Sequence, residues 1–147
     1  MEEAARKSGD WLVCRPGCTQ CCMGAFEITA LDAMRLRNAL AVADESRARR
    51  VRARVAAYVE QEDAPCPVLD PETGLCDLYE ARPMTCRVFG PATHVDGGLA
   101  ACELCYTGAT EEQIADCAVA VDREGMEAEI LQQLGDARST TVAAALG

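Results

Sequence analysis

Aromatic side chains, histidine and positive charge are all scarce in this sequence. Its 147 residues include one Trp, three Tyr, two Phe and one His. The hydrophobic core must therefore be built mainly from Ala, Val, Leu and Cys, and such a core is lean for a domain of this length. With 14 Lys and Arg against 24 Asp and Glu, the net charge is −10. This acidic balance argues against nucleic acid as a partner.

A long apolar run and an apolar leader are also lacking. No stretch approaches the roughly 20 apolar residues that a membrane-spanning helix needs. The first 13 residues are polar and have none of the apolar centre of a secretory signal. We therefore expect a cytoplasmic protein with no membrane partner. In a reducing cytosol thiols stay free or bind metal, and stable disulfides are rare.

Cysteine, in contrast, is abundant: the chain has ten, and four of them lie within residues 14–22, Cys-Arg-Pro-Gly-Cys-Thr-Gln-Cys-Cys. The neighbours Cys21 and Cys22 can form a disulfide with each other only under strain, but both can bind metal. Thiolates are typical ligands of zinc and of iron–sulfur clusters. Zinc sites usually take two well-separated Cys pairs, whereas cluster loops place three or four Cys in one run. The compact run from Cys14 therefore favours iron, as an iron–sulfur cluster, with zinc as the alternative.

The order of the cysteine motifs resembles the YkgJ-like cysteine-cluster family, a zinc- or iron-chelating domain. The resemblance covers about 90 residues: the 14–22 motif, Cys66-Pro-Val-Leu, Cys76-Asp-Leu-Tyr-Glu-Ala-Arg-Pro-Met-Thr-Cys86-Arg-Val-Phe, and Cys102. One difference is that three residues separate the first two Cys, where many members have two. The resemblance implies eight metal ligands, namely Cys14, Cys18, Cys21, Cys22, Cys66, Cys76, Cys86 and Cys102. Eight thiolates could fill two four-coordinate sites or hold one cluster beside spare thiols, and the sequence leaves this open.

Two arginines flank Cys86 and are candidates for a supporting role. A centre with four thiolates carries net negative charge, which Arg82 and Arg87 would offset from beside the ligands. The alternative is that one of them pairs with Glu80 or Asp77 at the surface. The sequence is compatible with both interpretations.

Three further residues are candidate ligands on weaker grounds. His94 could complete a site, but a polar hairpin position favours an exposed side chain. Cys105 lies at ligand spacing from Cys102, and nothing in the sequence decides its role. Cys117 falls on an apolar helix face, which is typical of a small core residue. We expect Tyr79 and Phe89 to pack around the metal as core.

Periodicity predicts a mainly α fold with small irregular or β hairpins, in one compact, cysteine-rich, metal-centred domain spanning 1–147. We expect residues 1–13 to be partly disordered and 14–105 to form the metal-binding core. Helix signals include Thr29 as an N-cap and a capping box at Thr110. The predicted helices cover about 30–44, 46–60 and, as the longest, 110–135.

Further local signals predict how these pieces pack. The first two helices should form an antiparallel pair, and the apolar tail should dock as a short helical turn. A tight turn should hold Cys66 close to Cys76, because Asp-Pro and a later Gly are turn residues. A second hairpin should turn at Asp96-Gly97.

Three functions are compatible with these features. The first is a metal-binding protein for redox, sensing or metal handling. The second is an interaction module that zinc stabilises, with the seven Arg between Arg35 and Arg54 facing a protein partner. The third is an accessory or catalytic cluster domain of a methylase-like enzyme, since Cys-x3-Cys-x2-Cys is also the spacing of radical S-adenosylmethionine enzymes. The sequence does not decide whether the protein is an enzyme.

Overall fold

Short helices and two small sheets form this fold, as seen in a computed structural model that describes residues 2–95, 98–135 and 138–147. The helices in these residues are α1 (Glu2–Ser8), α2 (Ala30–Val42), α3 (Glu45–Ala57), α4 (Met84–Val88), α5 (Glu111–Cys117), α6 (Arg123–Leu134) and α7 (Val142–Leu146). The strands are β1 (Glu27–Thr29), β2 (Thr93–Val95), β3 (Gly98–Ala100), β4 (Val119–Ala120) and β5 (Ser139–Thr141). The prediction of one mainly α, cysteine-rich domain with small β elements is confirmed.

The two sheets connect distant parts of the chain. β1 pairs antiparallel with β5, with Glu27 opposite Thr141. The other sheet has the order β3-β2-β4, in which β2 runs antiparallel to β3 and parallel to β4. The turn predicted at Asp96-Gly97, between β2 and β3, lies outside the described residues. The β1–β5 pair brings the C-terminal segment beside the start of α2.

The first hydrophobic core lies between α2, α3 and α7. Helices α2 and α3 each begin at a side-chain cap. Thr29 Oγ1 accepts a hydrogen bond from the backbone N–H of Asp32 (3.2 Å), and the Asp44 carboxylate accepts one from the N–H of Arg47 (2.9 Å). We expected α2 and α3 to pack as an antiparallel pair, but the largest contact of α2 is with α7. The buried residues of this first core are Ile28, Ala33, Leu36, Leu40, Ala48, Val51, Val68, Leu78, Val142 and Ala145.

The helix predicted over 110–135 is divided in two. Its capping box at Thr110 and its stop at Gly135, which has φ 63°, are present. Between them the chain leaves α5 and forms β4, where the backbone N–H of Val119 donates to Ala92 O (3.1 Å). Asp122 then caps α6 by accepting from the N–H of Gly125 (2.7 Å). Pairing with β2 thus overrides helical periodicity, and Gly125 belongs to a new first turn, not to a kink.

The N-terminal residues, expected to be partly disordered, form α1 and a 3-10 turn (Gly9–Trp11). Ser8 is buried, and its hydroxyl hydrogen-bonds Tyr106 Oη at 2.6 Å. Lys7 donates to the carbonyl of Ala118 at 2.6 Å. These polar contacts join the N-terminal helix to two buried residues, Tyr106 and Ala118.

The second hydrophobic core is smaller and lies under α1 and α5. Its buried residues are Ala92, Cys105, Tyr106, Cys117 and Ala118, and Trp11 and Cys102 pack against them. The composition predicted a lean hydrophobic core. The buried apolar side chains form two such cores, the first and the second described above. None of the helices in the described ranges is both long and apolar enough to cross a bilayer.

Candidate metal centre

Nine of the ten cysteines line two adjoining cavities. The larger cavity, of about 530 Å³, is lined by Cys14, Cys18, Cys21, Cys22, Cys66, Cys76 and Cys86. The smaller, of about 330 Å³, is lined by Cys14, Cys18, Cys21, Cys102 and Cys105. The fold therefore brings all eight cysteines of the expected ligand set to one region. Cys117 lies apart, in the second core, where the sequence placed it.

The loop 14–22 forms the wall between the two cavities. A turn in which the N–H of Cys18 donates to Arg15 O (3.0 Å) folds the loop back on itself. Gly17 within it has φ 88°, a conformation that residues with a Cβ rarely adopt. A 3-10 turn (Gln20–Cys22) follows, closed by a bond from Cys22 N–H to Thr19 O (2.8 Å). These turns hold the thiols of one short segment toward a shared space.

Backbone contacts hold Cys66 and Cys76 beside this loop. The N–H of Cys66 donates to the carbonyl of Cys22 (2.7 Å), and Cys76 pairs with Leu69 in an antiparallel bridge. Residues 70–74 make the turn between them, with Gly74 N–H donating to the Asp70 carbonyl (2.8 Å). The predicted approach of the two thiols around a tight turn is confirmed. Both side chains also pack against the first core.

Cys86 reaches the larger cavity from α4, and a buried carboxylate positions that helix. Asp32, on α2, is only 1 % exposed, and both of its oxygens accept from the N–H of Met84 at 3.2 Å. A carboxylate at the start of a helix satisfies an N–H that lacks a helical partner. Arg35 Nη1 lies 3.5 Å from the same carboxylate. Asp32 therefore connects the first core to the segment that carries Cys86.

The residue 102–105 segment belongs to the second core. The N–H of Cys102 donates to Gly90 O (3.2 Å), and the N–H of Cys105 donates to Cys102 O (2.9 Å). Cys105 is 3 % exposed and packs against the other residues of that core, whereas Cys102 is half-buried. His94 is exposed on β2, as expected.

Burial makes two thiols of the larger cavity, Cys66 and Cys86, weaker acids than a free cysteine. It raises the pKa of Cys66 to about 11 and also that of Cys86 to about 11. A hydrogen bond between the adjacent thiols raises the pKa of Cys21 and lowers that of Cys22. Because metal ligands must be thiolates, metal uptake at neutral pH is expected to release protons.

Arg82 is a cation beside the thiols of the larger cavity. Its guanidinium lies 3.5 Å from the ring centre of Tyr79 and lines the larger cavity. Its positive charge acts to lower the pKa of four cysteines, Cys14, Cys21, Cys76 and Cys86, against the raising effect of burial. Arg87 instead donates to two backbone carbonyls, those of Arg82 (2.8 Å) and Glu80.

The surface pairing considered for these arginines is not what the structure has, because Asp77 pairs with Arg50 (3.3 Å) and Arg54. Tyr79 and Phe89, expected as core around a metal, are 54 % and 45 % exposed. Tyr79 carries the Arg82 guanidinium on one face of its ring.

Two buried carboxylates hold this arrangement together, and no sequence pattern predicts their burial. Asp32 lies three residues after the N-cap Thr29, where an acidic residue is common at an exposed helix start. Glu127, 4 % exposed, accepts from Thr29 Oγ1 (3.0 Å) and pairs with Arg35 (3.1 Å). The polar stretch around Glu127 resembles any exposed helix face, so no local pattern marks it as buried.

The donor chemistry of the two cavities fits a soft metal. Seven thiols line the larger one, and thiolate is the ligand class that zinc and iron–sulfur centres take from proteins. As placed, no three His, Cys, Asp or Glu side chains of the described ranges form a group that could hold an ion. Cys22, Cys66, Cys76 and Cys86 are the thiols that line only the larger cavity.

The structure is that of a small, mainly α-helical, thiol-rich domain. Residues 13–106 match the CxxCxxCC family, described as a putative zinc- or iron-chelating domain. The chain therefore belongs to this family, as its cysteine motifs predicted, and it is a metal-binding protein of the zinc- or iron-chelating kind. Neither a curated protein nor a solved structure matches the chain.

Proposed function

We propose that this protein binds iron as an iron–sulfur cluster in the larger cavity and serves as a redox protein, an electron carrier or sensor. The observation that carries the proposal is that seven thiols line one cavity of about 530 Å³. A four-thiolate zinc ion needs little room, since a Zn–S bond is only about 2.3 Å long. A cluster of several irons and sulfides needs more, and the compact cysteine run also favours it.

The ligands in this proposal are Cys22, Cys66, Cys76 and Cys86. A bound cluster would supply one-electron redox chemistry at this position. Backbone N–H groups of Val68 and Leu69 act on the sulfur of Cys66 to lower its pKa, which is the direction that favours a thiolate ligand. The backbone N–H of Leu78 likewise acts to lower the pKa of Cys76. The chain thus supplies donors to the ligand sulfurs as well as the ligands.

Anaerobic purification with analysis of iron, acid-labile sulfide and zinc tests the proposal. We expect a brown protein that contains iron and sulfide, with a broad visible absorption that bleaches on reduction. A colourless protein with bound zinc would instead support a zinc-stabilised module. A folded protein that takes up neither metal, with its thiols reduced, would overturn both.

Replacing Arg82 with glutamine is expected to lower the reduction potential of the cluster. A nearby positive charge stabilises the more negative, reduced cluster, so its removal should shift the potential down by on the order of tens of millivolts. Redox titration followed by visible absorption measures the shift. Arg52 is exposed on α3 and is a matched control, because Arg52→Gln removes the same charge from a remote place. Equal shifts in the two variants would contradict a local role for Arg82.

The Arg-rich helix has less support as a docking surface. Arg50 and Arg54 pair with Asp77, and Arg47 lies 3.3 Å from Asp44. Arg54 also donates to the carbonyl of Pro67 (2.9 Å), one residue after Cys66. Arg50 and Arg54 thus hold α3 onto the cysteine segment, so these side chains stabilise the fold and are not free to bind a partner.

A further inference from the structure

We propose that the smaller cavity is a second metal centre, separate from the first, with Cys14, Cys18, Cys21 and Cys102 as its ligands. This inference rests on the proposed function for the nature of the neighbouring centre, but the two can fail separately. Each chain would then bind two metal centres, one in each cavity.

Of the eight thiols, four line only the larger cavity, one lines only the smaller and three line both. Four line only the larger cavity, Cys22, Cys66, Cys76 and Cys86. Cys102 lines only the smaller one, where it meets the three thiols of the dividing wall, Cys14, Cys18 and Cys21. If four thiols serve the larger cavity, Cys14, Cys18 and Cys21 remain available to join Cys102 in the smaller one. Four thiolates are the full ligand complement of a zinc ion or of a cubane cluster.

The two hydrophobic cores divide the thiols in the same way. Cys66 and Cys76 pack against the first core, and Cys102 packs against the second. The loop 14–22 runs between the cores, so each cavity has one wall from this loop and another from its own core. Cys14 lies two residues after Leu12, and both Leu12 and Trp11 pack on the second core.

The adjacent cysteines of the loop are explained by this division. Cys21 lines both cavities, whereas Cys22 lines only the larger one. Their two thiols are hydrogen-bonded to each other, so they meet where the two cavities adjoin. Cys21 and Cys22 would then bind different centres, and one peptide unit would connect the two. Two redox centres joined by so short a covalent path would exchange electrons readily.

Cys105 also lines the smaller cavity and is the competing fourth ligand. It is 3 % exposed and packs among the buried residues of the second core, next to Tyr106 and Cys117. Cys102 is only half-buried and sits between the core and the cavity. We assign Cys102 as the ligand for this reason, with Cys105 as part of the cavity floor.

Titration of the reduced, metal-free protein with cobalt(II) under anaerobic conditions tests the division. Cobalt bound by thiolates gives an intense near-ultraviolet charge-transfer band, and native mass spectrometry counts the ions in each chain. We expect two cobalt ions in the unmodified protein. Cys102→Ser and Cys18→Ser should each leave one, in the larger cavity, and Cys76→Ser should leave one, in the smaller. Cys105→Ala should keep two. Circular dichroism identifies any variant that fails to fold, and two variants of the smaller cavity guard against that loss.

Each other outcome has a definite meaning. One cobalt ion in the unmodified protein, lost in both Cys102→Ser and Cys76→Ser, would mean a single shared centre and would overturn this inference while metal binding stands. Loss of one ion in Cys105→Ala but not in Cys102→Ser would overturn the ligand assignment. No thiolate-bound cobalt in the folded, reduced protein would remove the proposed function and this inference with it.

Discussion

Replacing Cys66 with alanine is expected to remove the metal from the larger cavity and to lower the stability of the folded protein. Cys66 connects three features, since it lines this cavity, packs on the first core and is hydrogen-bonded through its N–H to Cys22 O. A ligand present at 1,000 times its dissociation constant stabilises the folded state by about 4 kcal/mol. Loss of a tightly bound centre should therefore reduce the free energy of unfolding by at least about that amount.

Iron and sulfide analysis together with urea unfolding measures both effects. Cys117→Ala is the matched control, because Cys117 is buried in the second core and lines neither cavity in the described structure. The control should cost about 1 kcal/mol from lost packing and should leave the metal content unchanged. Equal metal loss in both variants would show that the ligand set is wrong.

Replacing Asp32 with alanine is expected to be the most destabilising change outside the cysteines. Its buried carboxylate receives the N–H of Met84 and faces Arg35, and without it both groups lose a buried partner. Removing one member of a buried charged hydrogen-bond network typically costs about 3 kcal/mol or more. Because α4 starts at this contact, Cys86 should also lose its fixed position and metal affinity should fall.

The comparison that isolates this effect uses Asp32→Asn and Asp44→Ala, each measured by urea unfolding and by metal affinity. Asparagine keeps an oxygen that can accept from Met84, so we expect an intermediate loss of stability. Asp44 caps α3 at the surface, and its replacement should cost only about 1 kcal/mol and leave metal affinity unchanged. If Asp32→Ala were no worse than Asp44→Ala, the carboxylate would have no special role in holding α4.

Local signals in the sequence were reliable wherever neighbouring residues decide the structure. The caps at Thr29 and Thr110 and the αL stop at Gly135 are present because each depends on hydrogen bonds within one turn of helix. The turn that brings Cys66 to Cys76 is equally local. The cysteine motifs also identified the family, because a ligand set must keep its residue types and spacing.

Long-range contacts decided what those signals could not. The segment 110–135 carries helical periodicity, yet β4 forms inside it because β2, from a hairpin before it in the chain, supplies backbone partners. Glu127 is buried on a polar helix because Thr29 and Arg35 meet it there. The C-terminal α7 became the main partner of α2 through the β1–β5 pair.

The sequence by itself determined the chemistry of this protein: thiols in a fixed order, a lean core and a chain that belongs to a metal-chelating family. Only the tertiary structure decided how those thiols are distributed. Two separate cores place Cys66 and Cys76 on one side of the loop 14–22 and Cys102 on the other. Ligand type is a property of single residues, whereas the grouping of ligands depends on contacts between residues far apart in the chain.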